Sequence, residues 1–151
     1  MTLPLALIIA LGLAPMAMAH GKAVQMGAVE DAAKVFGDGV KLVPLVTQGK
    51  DGSITWSRAI GKDGAKLGLV GVAKEETEHG YLAQATCLSP DNRVISVILL
   101  RVMEDEKTAV TNLTKTKGWW EPGVIAKPEG AAVILLKSVQ KVKNAAVSIP
   151  K

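Results

Sequence analysis

The chain has 151 residues and a formal net charge of +4, with 18 Lys and Arg against 14 Asp and Glu. Acidic and basic residues alternate over most of its length, which is typical of a solvated surface and argues against nucleic-acid binding. Cys87 is the one cysteine of the sequence, so an intramolecular disulfide is excluded and the thiol is expected to be a small buried residue. One Phe, one Tyr and three Trp leave the core to be built mainly from Val, Leu, Ile and Ala.

Residues 1–19 have the pattern of a secretory signal peptide. The segment carries no charged side chain, residues 3–13 are almost wholly apolar, and Ala17-Met18-Ala19 ends it with small side chains. Its apolar core is shorter than the roughly 20 residues that span a bilayer. We therefore expect cleavage before His20 and a periplasmic or secreted domain, residues 20–151, without a stable membrane span. The alternative is an uncleaved, membrane-tethered domain, because no Lys or Arg precedes the apolar core.

A short amphipathic helix is predicted for residues 25–36. Val29, Ala32, Ala33 and Phe36 recur at helical spacing, and Gly37 follows as a plausible cap. Small alanine side chains favour close packing of this helix on a sheet.

Five strand candidates follow, at residues 40–47, 53–60, 67–73, 80–88 and 93–103. Pro44 places the first at an edge, because proline donates no ladder hydrogen bond. The second lies between two Gly-Lys-Asp-Gly turns, residues 49–52 and 61–64. Residues 94–100 are apolar on both faces except for Ser96, which predicts a central strand. The sequence thus predicts an α+β fold, in which an antiparallel meander of about five or six strands packs against the N-terminal helix.

The C-terminal third is less distinct. Residues 104–117 fit a short helix or a long connection. Residues 131–142 fit a helix by the spacing of Ala132, Leu135, Leu136 and Val139, or a strand by the pair Val133-Ile134. The preceding Pro128 and Gly130 slightly favour a strand.

His20 and His79 are the only histidines, and cleavage would make His20 the amino-terminal residue. Its amine and imidazole, with a second imidazole from His79, would offer three nitrogens, a set that suits copper. Deprotonating an α-amino group with an ordinary pKa near 8 costs only about 1 kcal/mol at neutral pH. In outline the pair resembles the histidine brace of lytic polysaccharide monooxygenases and the amino-terminal copper site of periplasmic copper carriers. That resemblance implies copper as ligand, and without it no cofactor is expected.

Trp119 and Trp120 are the candidate partner-contact residues. Two large rings in a loop rich in Gly and Pro expose much apolar area unless something covers them. The alternative is that at least one ring folds back as a lid over the sheet.

Motifs of enzymes are missing: there is no Gly-x-Ser-x-Gly, phosphate-binding glycine loop, Cys-x-x-Cys or His-Glu-x-x-His. The acidic clusters Glu75, Glu76, Glu78 and Glu104, Asp105, Glu106 are expected to be solvated at strand ends. The sequence therefore favours a small exported, non-enzymatic binding or accessory protein with an unknown protein or envelope component as partner. The alternative is a copper-binding protein that uses His20 and His79.

Overall fold

The computed structural model describes residues 21–46 and 53–151. The predicted signal peptide, its cleavage site, His20 and the first Gly-Lys-Asp-Gly turn lie outside the described residues. Within them the fold is mixed α+β: a curled antiparallel sheet of six strands with three α-helices.

The elements follow one another along the described chain in this order: β1 (Ala23–Gln25), α1 (Asp31–Phe36), β2 (Lys41–Pro44), β3 (Ile54–Ile60), β4 (Lys66–Thr77), β5 (Gly80–Leu88), β6 (Val94–Met103), a 3₁₀ turn (Glu104–Glu106), α2 (Lys107–Thr114), α3 (Ala131–Ala145) and a final 3₁₀ turn (Ala146–Ser148).

The sheet has the strand order β1-β6-β5-β4-β3-β2, with every neighbouring pair antiparallel. The predicted meander is confirmed for β2 to β6, and Pro44 lies in the edge strand β2 as expected. The strand predicted to be central, at residues 94–100, is an interior strand with side chains packed on both faces, although β6 lies second from the edge. Its outer neighbour is β1, a three-residue strand that the sequence analysis did not predict.

The slight preference for a strand at residues 131–142 is wrong, because Ala131–Ala145 forms a helix of 15 residues. Its buried face contains Ala132, Leu135, Val139 and Val142, which recur at helical spacing. Helix α3 packs on β4 and β5, so the helix that contacts the sheet most extensively is C-terminal. The open alternatives for residues 104–117 resolve into a 3₁₀ turn followed by α2.

Helix α1 is shorter than predicted. It begins at Asp31, whose carboxylate accepts a hydrogen bond from the backbone N–H of Ala28 at 3.0 Å, and Gln25 belongs to β1 instead. Ala32 of α1 is fully buried in a small cluster with Val70 and Cys87. This cluster lies on the face of the sheet opposite α3, which we call the α1 face.

The main core lies between the sheet and α3, on the face that we call the α3 face. Its largest buried side chains include Trp56, Leu82, Leu88, Trp119 and Leu135. None of the helices in the described part of the chain is long and apolar enough to cross a bilayer.

A series of hydrogen-bonded polar side chains, which we call the polar chain, crosses the main core. The Gln84 amide donates to Ser138 Oγ at 3.0 Å, and the Ser138 hydroxyl donates to Glu75 Oε2 at 2.7 Å. Lys141 Nζ also lies 2.7 Å from that carboxylate oxygen. The chain ties α3 to β4 and β5 through side chains that would otherwise be buried polar groups without partners.

Candidate functional site

His79 lies in the two-residue turn between β4 and β5, where Thr77 pairs with Gly80. The Thr77 hydroxyl donates to Glu106 Oε1 at 2.6 Å, and the backbone N–H of His79 donates to Glu106 Oε2 at 3.4 Å. Glu106 is only 7 % exposed. Its carboxylate therefore fixes the histidine turn to the 3₁₀ turn that follows β6.

The imidazole of His79 has carboxylates on both sides. Its Nδ1 lies 3.6 Å from Asp105 Oδ2, and its Nε2 lies 4.0 Å from Glu78 Oε2. The His79 side chain is 32 % exposed, so the ring is held in place yet reachable from solvent.

The first described residues of the chain lie close to His79 and Asp105. Strand β1 pairs with the end of β6, with Ala23 opposite Met103, and the Glu104 N–H donates to the Lys22 carbonyl at 2.7 Å. A Cβ built on Gly21 would lie 3.2 Å from Asp105 Oδ2. One carboxylate oxygen of Asp105 therefore faces both Gly21 and His79. We call Gly21, Glu78, His79 and Asp105 the His79 corner.

The described residues of this corner do not form a complete metal site. Across residues 21–46 and 53–151 there is no group of three or more His, Cys, Asp or Glu side chains arranged to hold a metal ion. The predicted ligand His20 lies outside the described residues, so its pairing with His79 stays a prediction. What the fold brings together is His79, Asp105 and the residue that follows His20.

The two candidate contact residues differ in position. Trp119 is 4 % exposed and belongs to the main core, whereas Trp120 is half-buried. Their rings meet edge to face, with centroids 5.5 Å apart. Trp120 borders a cleft of about 250 Å³ together with Pro122 and Leu136. A partner role stays a prediction, and only Trp120 presents substantial surface for it.

Cys87 is fully buried on the α1 face, as expected. Desolvation raises the pKa of its thiol from an ordinary 9.0 to about 12. A thiol with so high a pKa is protonated at neutral pH and is a poor nucleophile.

The expectation that both acidic clusters are solvated is wrong for two of their residues. Glu106 is buried under the histidine turn, and Glu75 lies in β4, which extends to Thr77 instead of ending near Ala73. Strand alternation turns Glu75 toward Ser138 and Lys141 of α3.

Sequence reasoning missed three residues that the sheet brings together: Lys74, Tyr81 and Arg101. Lys74 and Arg101 both approach the ring of Tyr81, one from each neighbouring strand. The register that aligns them is set by non-local pairing, so the sequence held no direct signal for this cluster.

No protein-family model, curated protein or solved structure matches this chain significantly.

Proposed function

We propose that the protein is an exported, non-enzymatic binding protein that holds copper at its mature amino terminus, through His20 and His79. The observation that carries this proposal is the position of Gly21 beside Asp105 Oδ2, the oxygen that also faces His79. We further propose that a signal peptidase removes residues 1–19 and that residues 20–151 act as one domain outside the cytoplasm.

Covalent geometry supports the pairing of the two histidines. Consecutive Cα atoms are about 3.8 Å apart, so a residue joined to Gly21 begins within a short reach of Asp105 and His79. Backbone hydrogen bonds fix the direction of this approach, since β1 is paired with β6 over Ala23, Val24 and Gln25.

The chemistry of the corner also suits a transition metal. The α-amine and imidazole of His20 would supply two nitrogens, and His79 would supply a third. Asp105 lies near Nδ1 of His79, and we propose that Nε2 binds the metal, with the carboxylate behind the metal-binding histidine in a common arrangement. Nitrogen ligands favour copper among the divalent first-row metals. Asp105 is thus a positioning residue, and the exposed Glu78 near Nε2 adds negative charge that favours a cation.

The proposal is tested on the secreted protein with its own processed terminus. A mass spectrum identifies the first residue, and copper titration with electron paramagnetic resonance measures affinity and nitrogen ligation. We expect a chain that begins at His20 and binds one Cu²⁺ with nitrogen hyperfine splitting. His20→Ala and His79→Ala should each weaken binding by about tenfold or more, which corresponds to about 1.4 kcal/mol.

Two further variants separate the parts of the site. One alanine inserted before His20 moves the amine away and should weaken binding while both imidazoles remain. Asp105→Asn should weaken binding less than His79→Ala, and Glu104→Gln, an exposed neighbour in the same turn, should leave it unchanged. A mature chain that begins elsewhere, or equal copper affinity in the native protein and His20→Ala, would refute the copper proposal.

A further inference from the structure

A groove of about 390 Å³ lies on the α1 face. Its floor includes Val72, Ala83 and Leu100, which also pack on the small cluster around Ala32 of α1. The groove is thus continuous with the covered part of this face but remains open to solvent. Its volume falls at the lower end of the range of about 300–1,000 Å³ found for small-ligand pockets.

Two cationic side chains converge in the groove on the ring of Tyr81. Lys74 Nζ lies 4.4 Å and Arg101 Cζ 3.8 Å from the ring centroid. The register explains this arrangement, because Lys74 and Arg101 both pair with Ala83, and Tyr81 shares a face of β5 with Ala83. The aromatic ring attracts each cation through a cation–π interaction, so both lie within 4.4 Å of its centroid.

A β-bulge directs Arg101 into the groove. Ala83 pairs with Arg101 while the next residue, Gln84, pairs with Leu99, so Leu100 is an extra residue in β6. Leu100 and Arg101 consequently both line the groove, although strict alternation would send them to opposite faces. The bulge therefore provides one apolar and one charged contact side by side.

The charge of the groove is unbalanced. Among the described residues that line it there is no carboxylate, and its polar lining includes the side chains of Gln25 and Thr55. Over residues 21–46 and 53–151, Arg101 Nε is buried and has no hydrogen-bond partner. Leaving a buried donor of a charged group unpaired is costly.

We propose that this groove binds a small organic oxyanion, a carboxylate or a phosphate monoester. The guanidinium of Arg101 offers a planar pair of donors that matches such a group, and Lys74 adds a second positive charge. Val72 and Leu100 supply an apolar surface for the organic part of the ligand. This site goes beyond the copper proposal and does not depend on it.

The test uses Tyr81 as a reporter, since it is the only tyrosine of the chain. In protein labelled with 3-fluorotyrosine, one ¹⁹F resonance reports on the groove. Phenyl phosphate and benzoate are titrated into protein freed of metal ions on a chelating resin, in a buffer without chelator, and uncharged benzamide is the matched probe. We expect saturable shifts with one or both anions and none with benzamide, and the tighter anion identifies the preferred oxyanion.

Substitutions of Lys74 and Arg101 test whether the two cations bind the anion. Lys74→Gln and Arg101→Gln should each weaken binding by about tenfold, as expected for loss of a charge-assisted hydrogen bond. Lys137→Gln, which removes an exposed lysine from α3, and His79→Ala should leave binding unchanged. Lys74 is exposed, so its variant remains informative if Arg101→Gln does not fold.

Three results would overturn the proposal. The first is a shift that stays linear with anion concentration and equals that caused by sodium chloride. The second is an equal response to benzoate and benzamide. The third is unchanged affinity in a folded Lys74→Gln protein.

Discussion

The two faces of the sheet are covered to different extents. Helix α3, with 15 residues, closes the α3 face over large buried side chains such as Trp56 and Leu135. Helix α1, with six residues, covers only part of the α1 face, with Ala32 buried and Val35 and Phe36 half-buried, and the groove beside it stays open. We infer that the α3 face supplies most of the stability, and that the open part of the α1 face is available for binding.

The strongest test of this contrast uses the adjacent tryptophans. Trp119→Ala should destabilise the protein by about 3–5 kcal/mol, because it leaves a large cavity in the main core. Trp120→Ala should cost about 1 kcal/mol, because that ring is only half-buried. Urea denaturation of both variants measures the difference. Equal losses of stability would show that the loop ring contributes to the core as much as Trp119 does.

A smaller effect is expected from the polar chain that joins α3 to the sheet. Ser138→Ala removes the acceptor of the buried Gln84 amide and one donor to Glu75, and should cost about 1–3 kcal/mol. Ser148→Ala, at an exposed serine after α3, is the matched control and should change stability by less than about 0.5 kcal/mol. Thermal unfolding of the two variants checks the prediction, and similar melting points would contradict it.

The smallest effect at neutral pH concerns Cys87, beneath α1. Because burial raises its pKa from 9.0 to about 12, the folded state keeps the thiol proton that the unfolded state loses above pH 9. The contribution of the protonated thiol to the free energy of unfolding is therefore present in full below pH 9. Above pH 9 the free energy of unfolding should decrease by about 1.4 kcal/mol per pH unit. Urea denaturation at pH 8 and pH 10 measures this loss of stability, and the Cys87→Ala variant should not show it.

Reaction with a thiol reagent gives an independent measure of the same burial. At pH 8 the native protein should react far more slowly than the protein in guanidinium chloride. Rapid stoichiometric labelling of the folded protein would show that the closed part of the α1 face opens readily.

Local pattern was sufficient to predict most of the sheet. Alternating apolar residues and short turns identified β3, β5 and β6 closely, and Pro44 identified an edge. The pattern was insufficient where tertiary contacts decide. Val133-Ile134 favours a strand locally, yet burial of Leu135 and Val139 on the sheet requires a helix. Strand β1 has three residues, and only its pairing with β6, far along the chain, defines it.

The same limit applies to the candidate sites. The two histidines could be named from the sequence, but Asp105 and the approach of Gly21 depend on the pairing of β1 with β6. Trp119 and Trp120 were indistinguishable in the sequence, since neighbouring residues of a loop carry no periodic signal of burial. The cluster of Lys74, Tyr81 and Arg101 joins three strands and depends on a β-bulge that no local sequence motif predicts.

The extra residue Leu100 affects both candidate sites. It advances the rest of β6 by one position relative to β5, and β1 pairs with that advanced segment. A strand without the insertion would shift the acidic turn by one residue, a displacement of about 3.3 Å, and would present a different carboxylate to the imidazole. The length of a single strand thus sets both where the Arg101 cation lies along the sheet and which residues surround the histidine.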